Sequence, residues 1–206
     1  QNANAVAELV FGLLVYAVRN FYNGTSGTEL KGKKLGIHAY GNVGRNVARI
    51  AKGFGMELFA YDAFCSDEQI AADEVTPVSS VKELYEISDV VSLHIPATPE
   101  TKQSINKELL SLLPKGAVLI NTARKEVIHE TEILEFMQER TDFKYLTDIT
   151  PGNHAEMQEK LAGSYFSTPK KMGAQTAEAN INAGIAAAQQ IVDFLKNGNQ
   201  RFRVNL

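Results

Sequence analysis

Short apolar runs alternate with stretches of helical periodicity along most of this chain, and a glycine turn joins the two halves of the first alternation. Lys34 to Tyr40 reads as a strand, and Val43, Val47, Ile50, Ala51 and Phe54 then recur at three- and four-residue spacing. The alternation continues with a strand over Glu57 to Tyr61, a short helix over Val81 to Ile87 and a strand over Asp89 to Ile95. Lys107 to Leu113 reads as helix, Ala117 to Asn121 as strand, Glu130 to Arg140 as helix and Phe143 to Ile149 as strand. Tyr165 to Thr168 is a last short strand, followed by a helix from about Gln175 to Lys196 with Gly198 beyond its end. Ahead of all this, Val6, Leu9, Val10, Leu13, Leu14 and Ala17 mark an amphipathic helix ending near Arg19, and Asn23 to Gly27 is a loop. The pattern predicts an α/β fold with a doubly wound parallel sheet, because right-handed crossovers place helices on both faces.

Composition narrows the partners. Against 24 acidic residues stand 21 lysines and arginines, a formal charge of -3, so neither nucleic acid nor an anionic membrane has an electrostatic footprint here. The most apolar stretch, Ala5 to Val18, is interrupted by Glu8 and falls short of the roughly 18 to 20 apolar residues a membrane span needs. The one cysteine, Cys65, cannot close a disulfide within the chain or build a thiolate cluster, which suits a reduced, cytoplasmic protein. A chain that opens at Gln1, already inside a helical pattern, is expected to be a fragment or a processed form.

In a doubly wound sheet, ligands gather at the carboxyl ends of the strands. After the first strand comes Ala39-Tyr40-Gly41-Asn42-Val43-Gly44. Helix-start amides near Asn42 and Val43 suit a pyrophosphate; Gly41 permits close approach, and Gly44 lets the helix pack on its strand. The usual fingerprint has a third glycine where this chain has Ala39. Asp62 ends the next strand, 18 residues past Gly44, where a carboxylate can accept ribose hydroxyls and repel a 2′-phosphate. NAD is therefore expected over NADP, although an aspartate after a strand also serves as a turn or helix cap.

Three further places complete the crevice. His94-Ile95-Pro96 and Thr101 follow one buried strand, with Pro96 and Pro99 stiffening the loop. Asn121-Thr122-Ala123-Arg124 follows another and brings a guanidinium, whose planar fork suits a substrate carboxylate and equally suits a surface ion pair. Thr147-Asp148-Ile149 and Thr168 to Gly173 end the later strands. His38 reads as a packing residue of the first strand, and Met157 and Met172 as packing residues too. His129 and His154 lack metal-ligand spacing, and no metal is expected.

These landmarks, with Ala5 to Leu9 and Gly173-Ala174 leading into Thr176 to Ala179, occur in an order that resembles the D-isomer-specific 2-hydroxyacid dehydrogenases, and among them the 3-phosphoglycerate dehydrogenases of serine biosynthesis. The resemblance covers nearly the whole chain. It implies an NAD-binding Rossmann domain over residues 1–197, dimer contacts through the first helix at 1–22, and a tail at 198–206 returning to a substrate domain that is mostly lacking. It also implies cofactor contacts at Tyr40 to Gly44, Asp62, His94 to Pro96, Thr101, Thr122 to Arg124, Asp148 and Gly173, with Asp148 positioning the cofactor carboxamide.

The sequence departs from the family pattern in one place. Where the family usually has a catalytic histidine after a proline and a glutamate five residues past the aspartate, this chain has Lys170 and Lys171 after Pro169, and Asn153. Counting from Pro169 selects Lys170; counting back from Gly173 selects Lys171. A lysine base must be brought from about 10.4 down toward neutrality by burial or nearby cations, and a glutamate partner would oppose that, so the two changes are coherent; the competing reading is an inactive enzyme whose lysines merely sit on the surface. The expected chemistry is hydride transfer between NAD and a 2-hydroxy acid, with Arg124 gripping the carboxylate and one of the lysines taking the hydroxyl proton. The alternatives are another D-2-hydroxyacid dehydrogenase, or an NAD-responsive corepressor-like binding protein.

Overall fold

The computed structural model describes residues 2–201 and 203. Its elements are α1 (Ala3–Val18), β1 (Lys34–His38), α2 (Asn42–Gly53), β2 (Glu57–Tyr61), α3 (Asp67–Ala71), β3 (Thr76–Pro77), α4 (Val81–Ile87), β4 (Val90–Leu93), α5 (Lys107–Leu110), β5 (Val118–Asn121), α6 (Glu130–Glu139), β6 (Lys144–Thr147), α7 (His154–Lys160), β7 (Tyr165–Ser167) and α8 (Ala177–Asn197). The strands form one parallel sheet in the order β3-β2-β1-β4-β5-β6-β7. The order reverses between β1 and β4, and a crevice opens there above the strand carboxyl ends.

Successive strand residues face opposite layers. Leu35 and Ile37 of β1, Val118 and Ile120 of β5 and Leu146 of β6 pack with α1 and α2. Val91, Leu93, Leu119 and Tyr145 pack with α4, α5 and α6 on the other side. Both layers are apolar, so the strands read as continuous hydrophobic runs rather than alternating ones.

Helix α1 lies on the first layer. Phe11 stacks on Phe54 at the end of α2 with centroids 4.9 Å apart, and Lys144 of β6 donates to Ala17 O at 2.7 Å. The apolar face of α1 is thus covered by its own domain, with Leu13 and Leu14 buried. Helix α8 contrasts with it. Only Ala179 and Ala186 of its residues are buried, while Ile181, Ile185, Ile191 and Leu195 are exposed.

Besides two 3-10 turns at Asn20–Tyr22 and Lys125–Val127, two α-helices and one strand were not expected from sequence. Helix α3 is one short turn held by a capping box between Ser66 and Gln69. Strand β3 is a two-residue edge strand containing Pro77, too short to show a period. Helix α7 buries only Met157. Helix α5 stops at Leu110 rather than Leu113, and Leu112 and Leu113 continue in tighter turns, donating to Leu109 O and Leu110 O. Met172, expected to pack, is more than a third exposed. Of the tail at 198–206, residues 202 and 204–206 lie outside the described residues. Among the described residues no helix is long and apolar enough to cross a membrane.

Candidate active site

The turn after β1 shows why each residue of the glycine motif sits where it does. Ala39, at the position of the missing glycine, has φ +82°, a left-handed conformation that costs any residue with a Cβ. A Cβ on Gly44 would lie 2.5 Å from Ala39 O and 3.1 Å from Ile37 Cγ2, so the close approach of α2 to β1 requires glycine. A Cβ on Gly41 would meet nothing within 4 Å; the space beside it is open. Helices α3, α4, α5, α6 and α8 begin on side-chain caps, whereas α2 begins at Gly41 with none. Helices α1 and α7 likewise start without a side-chain cap, but only α2 starts at the carboxyl end of β1, where the amides near Asn42 and Val43 open onto the crevice.

Asp62 is fixed by three backbone amides. Tyr40 N donates to Oδ2 at 2.6 Å, and Phe64 N and Cys65 N donate to Oδ1 at 2.7 and 2.9 Å. The carboxylate is therefore a turn cap and also one wall of a cleft of about 650 Å³, lined with it by His38, Tyr61, Ile95, Pro96 and Thr101. The Thr101 hydroxyl is committed to folding its own loop, donating to Pro96 O at 2.5 Å and accepting from Thr98 N at 2.8 Å.

Beneath the cleft lie two histidines. His94 N donates to His38 O at 2.9 Å, tying the ends of β4 and β1 together. The His94 ring nitrogen Nε2 lies 3.0 Å from Ser92 Oγ, and His38 Nδ1 lies 3.3 Å from Tyr85 OH. Burial drives His38 down to about 4 against the pull of Asp62, and burial with the neighbouring His38 drives His94 down to about 3. Both rings are neutral at pH 7. His38 as a cleft wall escaped the sequence reading; its one signal was a polar side chain at the carboxyl end of an apolar strand.

The other half of the crevice is built on β5, β6 and the segment after β7. Asn121 is fully buried and folds the next turn, accepting from Ala123 N at 3.0 Å and donating to Arg124 O at 2.9 Å. Thr122 Oγ1, just beyond, is buried with no hydrogen-bond partner. Arg124 is exposed, donates to Ala123 O at 2.8 Å, and has no carboxylate in ion-pair range among the described residues. Asn121 pairs with Thr147 across the sheet, so Asp148 follows on the adjacent strand end.

Asp148 is buried. Its Oδ2 accepts from Gly173 N at 2.7 Å and Met172 N at 3.2 Å, while Oδ1 has no partner. Burial holds its carboxyl above the usual range, opposed by those two amides and by the charge of Lys171. A Cβ on Gly173 would come within 2.9 Å of Asp148 Oδ2 and 3.2 Å of Val6 Cγ2, so this glycine lets the segment close onto Asp148 and α1. Lys170 and Lys171 are both exposed. Asn153 donates to Glu130 O at 2.7 Å, and its Oδ1 is buried without a partner. Among the described residues no three His, Cys, Asp or Glu side chains are grouped to hold a metal ion.

The family described as D-isomer specific 2-hydroxyacid dehydrogenase, NAD binding domain, matches residues 16–169. The chain belongs to that family.

Its relatives are consistent with this. A D-3-phosphoglycerate dehydrogenase of Haemophilus influenzae is 31% identical over 99% of this chain and 53% of its own length. A hydroxypyruvate reductase of Thermotoga maritima is 31% identical over 92% of this chain and 66% of its own. Among solved structures, NAD+-bound 3-phosphoglycerate dehydrogenase of Entamoeba histolytica superposes with a TM-score of 0.92 and 44% identity, covering all of this chain and 66% of that one. The chain spans about half the length of the D-3-phosphoglycerate dehydrogenase it matches in Haemophilus influenzae.

The residues of this 2-hydroxyacid dehydrogenase domain fit NAD, its family's cofactor. Asp148 Oδ1 and Thr122 Oγ1 are buried polar atoms awaiting partners, the start of α2 is uncapped, and the space beside Gly41 is open. A cleft of about 650 Å³ beside Asp62 is large enough for an adenosine.

Proposed function

We infer that this chain is the cofactor domain of an NAD-dependent oxidoreductase acting on a small 2-hydroxy acid, with D-3-phosphoglycerate, oxidised to 3-phosphohydroxypyruvate in serine biosynthesis, as its substrate. The observation that carries the reading is the buried, unpartnered Oδ1 of Asp148 at the end of β6, beside the turn that presents Arg124. An orphaned acceptor at that depth is costly unless a ligand N–H completes it, and a carboxamide supplies one.

In this reading Asn42, Val43 and Gly44 hold the diphosphate by their amides, Tyr40 and Asp62 hold the adenosine ribose, and His94, Ile95, Pro96 and Thr101 wall the adenine side. Thr122, Ala123, Asp148 and Gly173 frame the nicotinamide. When bound, NAD supplies the acceptor for the substrate's hydride. Arg124, with no carboxylate of its own, grips the substrate carboxylate through its planar fork. Lys170 or Lys171 takes the proton of the C2 hydroxyl, and the electrostatic contact of Lys171 with Asp148 favours Lys171 as the nearer to the cofactor. Both lysines are exposed in this chain, so the burial that a neutral lysine requires would come from closure by a substrate domain outside these residues. The greater length of the relatives leaves room for one. This exposure is also what favours the second reading, an NAD-responsive binding protein without a tuned base.

The reading includes a cytoplasmic homodimer. With the apolar face of α1 packed on α2, dimer contacts through this helix would fall to its outer side, and sedimentation tests that.

The experiment is oxidation of 3-phosphoglycerate, glycerate and lactate with NAD, and reduction of 2-oxoglutarate with NADH, by the full-length protein, with Lys170→Met and Lys171→Met singly and together. Loss of rate in one single variant and in the double variant is expected. Unchanged rates in the double variant rule out a lysine base, and no oxidation of any 2-hydroxy acid leaves the binding-protein reading. The 206-residue chain alone is expected to bind NAD without useful turnover.

A further inference from the structure

Asp62 and Tyr40 close a ring of contacts that runs through Arg45, Asp73 and Cys65, three residues with no part of their own in holding the cofactor. Tyr40 N donates to Asp62 Oδ2 at 2.6 Å, and the Tyr40 hydroxyl donates to Asp73 Oδ2 at 3.2 Å. Arg45 Nη1 donates to that same Asp73 oxygen, and the guanidinium lies 4.9 Å over the Tyr40 ring. Arg45 Nη2 then donates to Cys65 Sγ at 3.4 Å, and Cys65 N returns to Asp62 Oδ1 at 2.9 Å. Five residues from four segments are joined: the turn after β1, the first turn of α2, the loop after β2 and the turn after α3.

The ring adds little to stability by itself. The side chains of Arg45 and Asp73 are 38% and 43% exposed, a degree at which an ion pair is worth little. What it does is geometric. Tyr40 and Cys65 deliver their amides to different oxygens of Asp62, and Arg45 touches both of those residues while Asp73 anchors Arg45 and the Tyr40 hydroxyl. A carboxylate whose rotation is fixed in advance binds a diol without the entropy of ordering itself.

We propose that Arg45 and Asp73 are positioning residues for the cofactor's adenosine ribose, holding Tyr40 and Cys65 so that the Asp62 carboxylate stays aimed at the ribose hydroxyls. The inference rests on Asp62 being the ribose acceptor.

The test is calorimetric titration of NAD and NADP into the 206-residue chain, in the parent and in Arg45→Met, Asp73→Asn, Asp62→Ala and the double variant R45M/D62A. The chain has no tryptophan, so calorimetry is preferred to energy transfer. Arg45→Met and Asp73→Asn are expected to weaken NAD by about three- to tenfold. NADP gains nothing from an aimed carboxylate, so its affinity stays within about twofold and the preference for NAD falls. The double variant is expected to bind NAD no more weakly than Asp62→Ala, since the effect of Arg45 passes through that carboxylate. Arg45→Lys, which keeps a cation for Asp73, recovers part of the loss.

A general loosening of the fold would weaken both dinucleotides and add to the loss in Asp62→Ala, and either result overturns the proposal. Unchanged NAD affinity in Asp62→Ala removes the ribose reading and the inference with it. A loss in Asp62→Ala alone, with Arg45→Met and Asp73→Asn at parent affinity, refutes the positioning role and leaves the ribose reading standing.

Discussion

Two buried histidines at the ends of β1 and β4, beside the cleft that Asp62 lines, are predicted to cost this domain about 4 kcal/mol as the pH falls from 7 to 5. His38 titrates near 4 and His94 near 3 in the folded chain, against an ordinary value of 6.5. At pH 7 the folded rings are neutral and the unfolded ones mostly so, and little is lost. Below 6.5 the unfolded chain takes up protons that the folded chain refuses, so stability falls with pH until the folded values are reached. At pH 5 the gap is about 1.5 units per residue, or about 2 kcal/mol each at 1.36 kcal/mol per unit. The histidine contribution is insensitive to how far below 5 each folded value lies, because only the unfolded forms of these two residues titrate in this window. The groups facing His38 are Tyr85 and Tyr61 by ring contact, Asp62 by charge and His94 through the strand ends.

Urea unfolding at pH 7, 6 and 5, followed by circular dichroism, measures the slope. His38→Gln keeps a hydrogen-bonding partner for Tyr85 OH and does not titrate, so it is expected to remove about 2 kcal/mol of the difference between pH 7 and pH 5. A variant with the same pH dependence as the parent would refute the assignment, and so would a parent whose stability is flat over this range.

Gly44→Ala is predicted to destabilise by about 1 to 3 kcal/mol, because its Cβ would meet the backbone oxygen of Ala39 at 2.5 Å. Gly41→Ala, whose Cβ would meet nothing within 4 Å, is expected to cost no more than about 1 kcal/mol as an N-cap change and to weaken NAD; unchanged NAD affinity would disprove that the ligand needs this space. Ala39→Gly relieves φ +82° at a strain of about 1 to 2 kcal/mol but adds backbone freedom to the unfolded chain worth about 0.5 to 1 kcal/mol. A net gain of up to about 1 kcal/mol in denaturant unfolding is expected, and a loss would mean that the methyl group packs usefully. Lys171→Met should raise the Asp148 carboxyl further, read by carboxyl NMR titration, whereas Lys170→Met should leave it in place; equal shifts would remove the distinction between the two lysines.

Much of the crevice was legible because its signals are local. The turn from Ala39 to Gly44, the aspartate 18 residues on and the polar residues after each apolar strand follow from what a strand-turn-helix unit needs at its carboxyl end. The elements missed were those whose signals are too short for a period. Helix α3 could have been found from Ser66 and Gln69, three residues apart, but β3 with Pro77 exists only because β2 offers it an edge.

Sequence by itself determined the parallel sheet and the order of its loops, since continuous apolar strands alternating with helices have few other ways to bury themselves. Tertiary structure decided what each polar group faces. It committed the Thr101 hydroxyl to its own loop, left Asp148 Oδ1 and Thr122 Oγ1 without partners, and set His38 under the cleft. It also treated the apolar residues of two helices differently, burying Leu13 and Leu14 of α1 while leaving Ile181 and Leu195 of the more polar α8 exposed. Periodicity says that a helix has an apolar stripe; only the packing of distant segments says whether this chain covers it.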